Sequence, residues 1–161
     1  MAMIRRKDPP PAFNFIVSLI DTTSALNTLA SGIRNVVLGG FSECSGLEMQ
    51  LQTEDFEEGG DIGRVRHFPK RITWTNLRLQ RGAALNDELW NWHYGFAQGK
   101  GRRRDGIILL QDAAKKPLRL WYFVRGLPVK WTGPSLNAQS GELAIEELEI
   151  AHEGLQMRSI G

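Results

Sequence analysis

Leu118–Leu155 reads LRLWYFVRGLPVKWTGPSLNAQSGELAIEELEIAHEGL. Leu118–Val124 is aromatic and β-branched, with neither glycine nor proline, and reads as a strand. Gly126 and Pro128 are expected to interrupt its pairing, and Val129 and Trp131 alternate with Lys130 as a short strand end. Gly133-Pro134 and Asn137–Gly141 are turn material. Glu142–His152 carries a conflict. Its Glu, Leu and Ala favour a helix, yet Leu143 and Ile145 alternate against Ala144, Glu146, Leu148 and Ile150 with the period of a strand. Local physics leaves both readings open.

Strand signals also dominate upstream. Phe13–Ile20 alternates Phe13, Phe15, Val17 and Leu19 against Asn14 and Ser18. Val36–Glu54 is mainly strand, bent at Gly39-Gly40. Past Ser45-Gly46, Leu47, Met49 and Leu51 form a dry face expected on the core, opposite Glu48, Gln50, Gln52 and Glu54. Arg71–Arg81 is a strand whose apolar parity flips near Asn76, which predicts a bulge there. Between these strands, Glu57–Lys70 is a long polar loop or hairpin tip. Its acids come first (Glu57, Glu58, Asp61) and its bases after (Arg64, Arg66, Lys70). Ile107–Leu110 is a further strand, and Ala113–Lys116 a turn.

One helix stands out over Asn86–Gln98. Asn86 is an N-cap, Asp87 and Glu88 suit the positive end of the helix dipole, and Gly99 sits at the C-terminal cap. Leu85, Leu89, Trp92 and Phe96 make one apolar stripe, so Leu89, Trp92 and Phe96 are expected to anchor the helix to the sheet. A second short helix or loop is expected at about 24–32. Residues 1–12, with Pro9-Pro10-Pro11, read as an extended arm ahead of a single domain at 13–161.

Composition narrows the function classes. Twenty basic and 18 acidic residues give a net charge of +2, too balanced to argue for nucleic acid by itself. The basic clusters Arg5-Arg6-Lys7, Lys100–Arg104 and Lys115-Lys116 read as solvated loops. The single cysteine, Cys44, excludes an intramolecular disulfide and reads as a small buried side chain. No stretch reaches the ~18 consecutive apolar residues of a membrane span, and the N-terminus lacks the apolar core of a signal peptide, so a cytoplasmic origin is expected. His67, His93 and His152 lie in three different elements without metal-ligand spacing, and no phosphate-binding loop or nucleophile elbow is present. No catalytic residue, metal or cofactor is therefore expected. The fold class read from the residues is mainly β: an antiparallel sandwich or barrel with a flanking helix (about 86–98) and a long hairpin-like loop (about 55–70). A β-rich enzyme or a carbohydrate-binding module also fits that much.

Particular motifs carry a further reading. Arg125–Leu155, Phe41–Leu47 (FSECSGL), Phe56–Gly60 (FEEGG), Leu79–Gly82 (LQRG), Leu89-Trp90 with Trp92, and Arg103–Gly106 (RRDG) occur in order. Over about residues 13–21 and 38–155 the chain resembles the tail-tube proteins of contractile phage tails and phage-tail-like contractile injection systems. The resemblance implies a closed or nearly closed antiparallel β-sandwich with a flanking helix. It also implies subunits that form hexameric rings stacked inside a contractile sheath, or alternatively a tube-initiating paralogue at the baseplate. Implied partners are further copies of the chain, sheath subunits, baseplate or tube-initiator proteins, and a cargo of protein effector or DNA, with no insertion into a membrane. The 21–38 segment departs from the family's shorter link. On this footing Glu48, Gln50, Gln52, Thr73 and Thr75 are expected to line the channel. Glu57, Glu58, Asp61, Arg64, Arg66 and Lys70 are expected to join one ring to the next.

Overall fold

The structure, a computed structural model, describes residues 14–21, 40–60, 62–83 and 86–160. The expected arm, the 24–32 helix, Val36–Leu38, Asp61 and Leu85 lie outside them. The elements are β1 (Phe15–Asp21), β2 (Glu43–Ser45), β3 (Met49–Glu57), β4 (Val65–Trp74), β5 (Leu77–Gly82), α1 (Glu88–Ala97), β6 (Arg104–Gln111), β7 (Pro117–Thr132), β8 (Ile145–Ala151) and β9 (Gly154–Ser159). Every strand pair is antiparallel. The main sheet runs β1-β6-β7-β8-β5-β2, with β9 also on β7, while among the described residues β3 and β4 pair only with each other.

The 16-residue β7 belongs to both halves of the fold. Its first part pairs with β6 and β9; from Leu127 it pairs with β8. Gly126 and Pro128 interrupt the pairing, as the sequence suggested: β7 changes partner after Gly126 and its register with β8 shifts between Pro128 and Lys130, while the strand itself continues. Arg125 takes a positive φ of 53° and the strand bends there, exchanging one set of partners for another. The conflict over Glu142–His152 resolves as strand. Held between β5 and β7, β8 buries Glu146, Leu148 and Ile150, and that burial outweighs a helix propensity of a few tenths of a kcal/mol per residue.

Val17, Leu19, Ile108 and Phe123 meet Leu77, Leu79, Leu148 and Ile150 in the core, and α1 closes its flank with Leu89 and Trp92. Asp87 is the N-cap residue of α1, but the capping oxygen is still that of Asn86, whose Oδ1 accepts from the Glu88 N–H at 3.2 Å. Gly99 takes the left-handed conformation expected of it (φ 71°). Phe96 corrects the expected stripe: it is 38% exposed, its ring lying over the backbone of Gly101 at the helix end rather than in the core.

One charged pair is wholly inside. Arg81 on β5 and Glu146 on β8 are register partners, their Nε and Oε1 2.6 Å apart, with side chains 0% and 5% exposed. The second Glu146 oxygen accepts from Trp131 Nε1 on β7 (3.0 Å), and Arg81 Nη2 donates to the carbonyl and side-chain oxygens of Asn86 at the entrance to α1. Four elements are thereby joined by groups whose hydrogen-bonding capacity is used.

The expected bulge near Asn76 lies elsewhere. Thr75-Asn76 is the link that carries the chain from the hairpin to the main sheet, which is why the apolar parity flips there. The irregularity is within the hairpin: Leu51 pairs with Ile72 but Thr53 with Pro69, so Lys70 and Arg71 together face Gln52. Gly46 turns the chain into the hairpin with φ 87°, and a Cβ there would stand 2.1 Å from the Asn76 carbonyl oxygen.

Removing one member of the internal ion pair strands the other without its counter-charge. Glu146→Ala is expected to cost ~3–5 kcal/mol, whereas Arg66→Ala, which breaks an exposed pair, should cost no more than ~1 kcal/mol. Urea unfolding of the two variants checks the contrast.

Candidate assembly interface

The β3–β4 hairpin presents two unlike faces, as strand alternation requires. One holds Glu48, Gln50 and Gln52 with Thr73, Thr75 and Arg71. Thr75 Oγ1 donates to Glu48 Oε2 (3.2 Å), Thr73 Oγ1 to the Gln50 carbonyl (3.4 Å), and Arg71 Nε to Gln52 Oε1 (3.1 Å). The five residues expected to line a channel thus share one surface. It continues onto the outer face of the main sheet, where Asn76 Nδ2 donates to Glu149 Oε1 (2.8 Å) and Gln80 Nε2 to Glu147 Oε2 (2.9 Å).

The opposite face carries Met49, Leu51, Val65, Pro69 and Ile72. Here an expectation fails. Leu47 packs against the core, but Met49 and Leu51 are 68% and 52% exposed. Periodicity put them on a dry side correctly, but at Glu48 the chain leaves the body, and no other part of the described subunit lies against that side. Ile72, their cross-strand neighbour, is 50% exposed. This uncovered face is the feature that the sequence reading missed. The available signal was a period-2 apolar set on a two-stranded ribbon too narrow to own a core.

Toward the tip, the loop expected at about 55–70 is mostly strand, with only residues 58–64 connecting. Glu57, Arg66 and Lys70 lie in strands; Glu58 and Arg64 lie in the connection. The separation by sign places acids on β3 across from bases on β4. Arg66 meets Glu58 (3.4 Å), Lys70 meets Glu54 (3.4 Å) and His67 meets Asp55 (2.6 Å), all well exposed. Phe56 and Phe68 contact edge to face at 6.2 Å.

On α1, Trp92 is 4% exposed and donates its Nε1–H to the Arg102 carbonyl at 2.8 Å, while Leu89 is fully buried. Trp90 and Tyr94, one turn apart on the outer side, stack at 5.3 Å beside Trp131. Burial, with a contribution from Glu43, pushes the Cys44 thiol up to about 11, so it stays protonated and unreactive at neutral pH. Among the described residues no group of three or more His, Cys, Asp or Glu could hold a metal ion, and no helix is long and apolar enough to cross a membrane.

The described residues thus present a ribbon with an uncovered apolar side, joined to a compact β domain. Residues 11–156 match the family model described as T4-like virus tail tube protein gp19. The chain belongs to that family. It is a structural tube subunit of a phage tail or tail-like particle. A comparison with curated proteins gives no match. Among solved structures, the cryo-EM structure of the anti-feeding prophage baseplate, six-fold symmetrised, contains a chain of the same fold. Its TM-score is 0.80 at 21% identity, over 95% of this chain and 97% of that one. A chain in the sheath–tube complex of the PVC extracellular contractile injection system, in its extended state, gives 0.76 at 24% identity over 96% and 95%. One in the tube-terminating cap of the anti-feeding prophage gives 0.75 at 22% over 99% and 100%.

Truncation should separate what holds the tube subunit together from what it shows to others. Trp92→Ala should destabilise an isolated subunit by ~3–5 kcal/mol. Leu51→Ala, at a half-exposed site, should change it by less than ~1 kcal/mol. Chemical denaturation of both, under conditions that keep the subunit dispersed, reads the difference.

Proposed function

We propose that copies of this chain form six-membered rings, that the rings stack into a tube inside a sheath, and that the tube conducts cargo without catalysing any reaction. The observation that carries this is the hairpin. A two-stranded ribbon is at best marginally stable alone in water, and this one leaves Met49, Leu51, Val65 and Ile72 uncovered. A neighbouring copy in the ring covers that side. Head-to-tail contacts of this kind close around a ring and repeat without closing along an axis. The outermost strands β1, β2 and β9 offer further edges for a neighbour. The six-fold symmetry of the anti-feeding prophage baseplate, and the sheath around the PVC tube, support the ring number and the outer partner.

In this arrangement Glu48, Gln50, Gln52, Thr73 and Thr75 line the channel. The Thr75 hydroxyl is engaged with the Glu48 carboxylate, the Thr73 hydroxyl with the Gln50 backbone and Gln52 with Arg71, which leaves a wet surface with little to hold a passing cargo. Glu57, Glu58, Asp61, Arg64, Arg66 and Lys70 join one ring to the next, with Glu58, Arg66 and Lys70 exchanging their pairing within the hairpin for pairing between copies. Each such pair is worth only ~0–1 kcal/mol, but it recurs six times per ring.

The double reversal Glu57→Lys, Glu58→Lys should therefore give rings that do not stack, seen by negative-stain electron microscopy. Normal tubes of normal length would remove the hairpin tip from the ring-to-ring contact. Stacking should also weaken between 0.1 and 1 M salt, as the screening length falls from about 10 to about 3 Å. A wild-type chain that elutes as a monomer at every concentration would overturn the assembly itself.

A further inference from the structure

The hairpin meets the body at its root. Among the described residues its strands pair with no others, and the chain enters and leaves it through Gly46–Met49 and Thr75-Asn76. Against that root lies His152, in the turn between β8 and β9. Its ring centroid is 5.9 Å from that of Trp74 at the end of β4 and 6.1 Å from that of Phe123 in the core. His152 Nε2 is 3.1 Å from the Thr75 carbonyl oxygen. A carbonyl can only accept, so Nε2 carries the hydrogen. Nδ1 is then the bare nitrogen, and it is closed off from solvent without a hydrogen-bond partner.

We propose that His152 is a proton-sensitive latch: neutral, it holds the hairpin root against the body; protonated, it releases it. A second proton at Nδ1 would charge a ring closed off from solvent, and the Thr75 and Gly154 backbone offsets only part of that cost. The charged groups nearby do not supply a counter-ion. Glu153, the next residue, is held by Arg125 (2.8 Å) and Arg103 (3.4 Å). Glu48 on β3 is bonded to Thr75, and Glu149 on β8 to Asn76 and, at 4.0 Å, Arg78. Burial lowers the His152 pKa from its ordinary 6.5, with the Thr75 and Gly154 backbone offsetting part of the effect. The latched form thus binds the proton more weakly than the released form. Its advantage is complete above about pH 6.5 and falls as pH drops toward the lowered pKa, by up to about tenfold in the latched-to-released ratio per pH unit. The other histidines are placed differently: His67 is exposed beside Asp55 on the hairpin, and His93 bonds the Pro128 carbonyl from α1. Release would loosen the tube only if the hairpin carries the ring contacts proposed above; the latch itself does not depend on that.

Hydrogen exchange of the full chain at pH 7.5 and 5.5, corrected for intrinsic rates, tests it. Protection at Met49–Leu51 and Ile72–Trp74 should fall by up to about tenfold at the lower pH, while β8 stays protected. His152→Gln keeps a side-chain donor but cannot charge, and should abolish the change; His67→Gln should retain it. A wild type without the change, a His152→Gln protein that keeps it, or a His67→Gln protein that loses it overturns the latch. If His152→Gln does not fold, NMR titration of the wild type decides. A His152 midpoint below 6.5 shared by hairpin signals supports the latch, and a midpoint at or above 6.5, or an unshared one, overturns it. Electron microscopy at pH 7.5 reads assembly separately, so failure to form tubes and failure to respond to acid are distinct results.

Discussion

The contact on which the subunit depends is the one between Arg81 and Glu146. Two opposite charges without solvent are costly unless every lone pair and proton is matched. Here the matching partners come from three directions: Trp131 from β7, Asn86 from the entrance to α1, and the strand register that sets Arg81 opposite Glu146. A slip of β8 by one residue against β5 would turn Glu146 to the outer face together with Leu148 and Ile150, and bring Glu147 and Glu149 inward. The pair therefore selects one register among those that a Leu-rich sheet would tolerate. It also fixes where the helix begins, and so where Leu89 and Trp92 enter the core.

Around that fixed body the chain separates its own stability from its capacity to associate. Among the described residues the core forms without the hairpin: its buried residues come from β1, β5, β6, β7, β8, α1 and Phe41, and none from β3 or β4. The hairpin is the converse, with apolar groups turned outward and its charges paired across its own two strands. Changes in the ribbon can then alter association while leaving the body nearly as stable as before.

Much of this was legible because local patterns report local facts. The alternation through Glu48–Gln52 and Thr73–Thr75 correctly put five residues on one polar face, and the Asn86–Gly99 signals located a helix that the structure has at Glu88–Ala97. What local patterns miss is the far side of each contact. Met49 and Leu51 read as core because periodicity gives a face but not its cover. Phe96 fits the helical stripe but falls beyond the sheet edge, over Gly101. The parity flip near Asn76 looked like a bulge because one strand leading into another sheet and one bulged strand share a sequence signature. Neither Arg81 nor Glu146 announces itself, since two residues 65 apart acquire their relation only through pairing that no short window contains.

The two-part design also sets an order of events in time. The hairpin's pairing is entirely between sequence neighbours, and ribbons of that sort form in ~1–10 μs. The body instead joins β1 to β6 and β5 to β8 across much of the chain, topology that typically takes milliseconds to seconds. A newly made chain thus samples its ribbon pairing well before its body forms, and the ribbon, marginal by itself, is held only once it is mounted there. During that interval the exposed acids and bases flanking the apolar strip act as gatekeepers, keeping unfinished chains apart. If the hairpin carries the ring contacts proposed above, the same charges border the finished contact, and one set of side chains then serves both solubility in transit and fidelity in the tube.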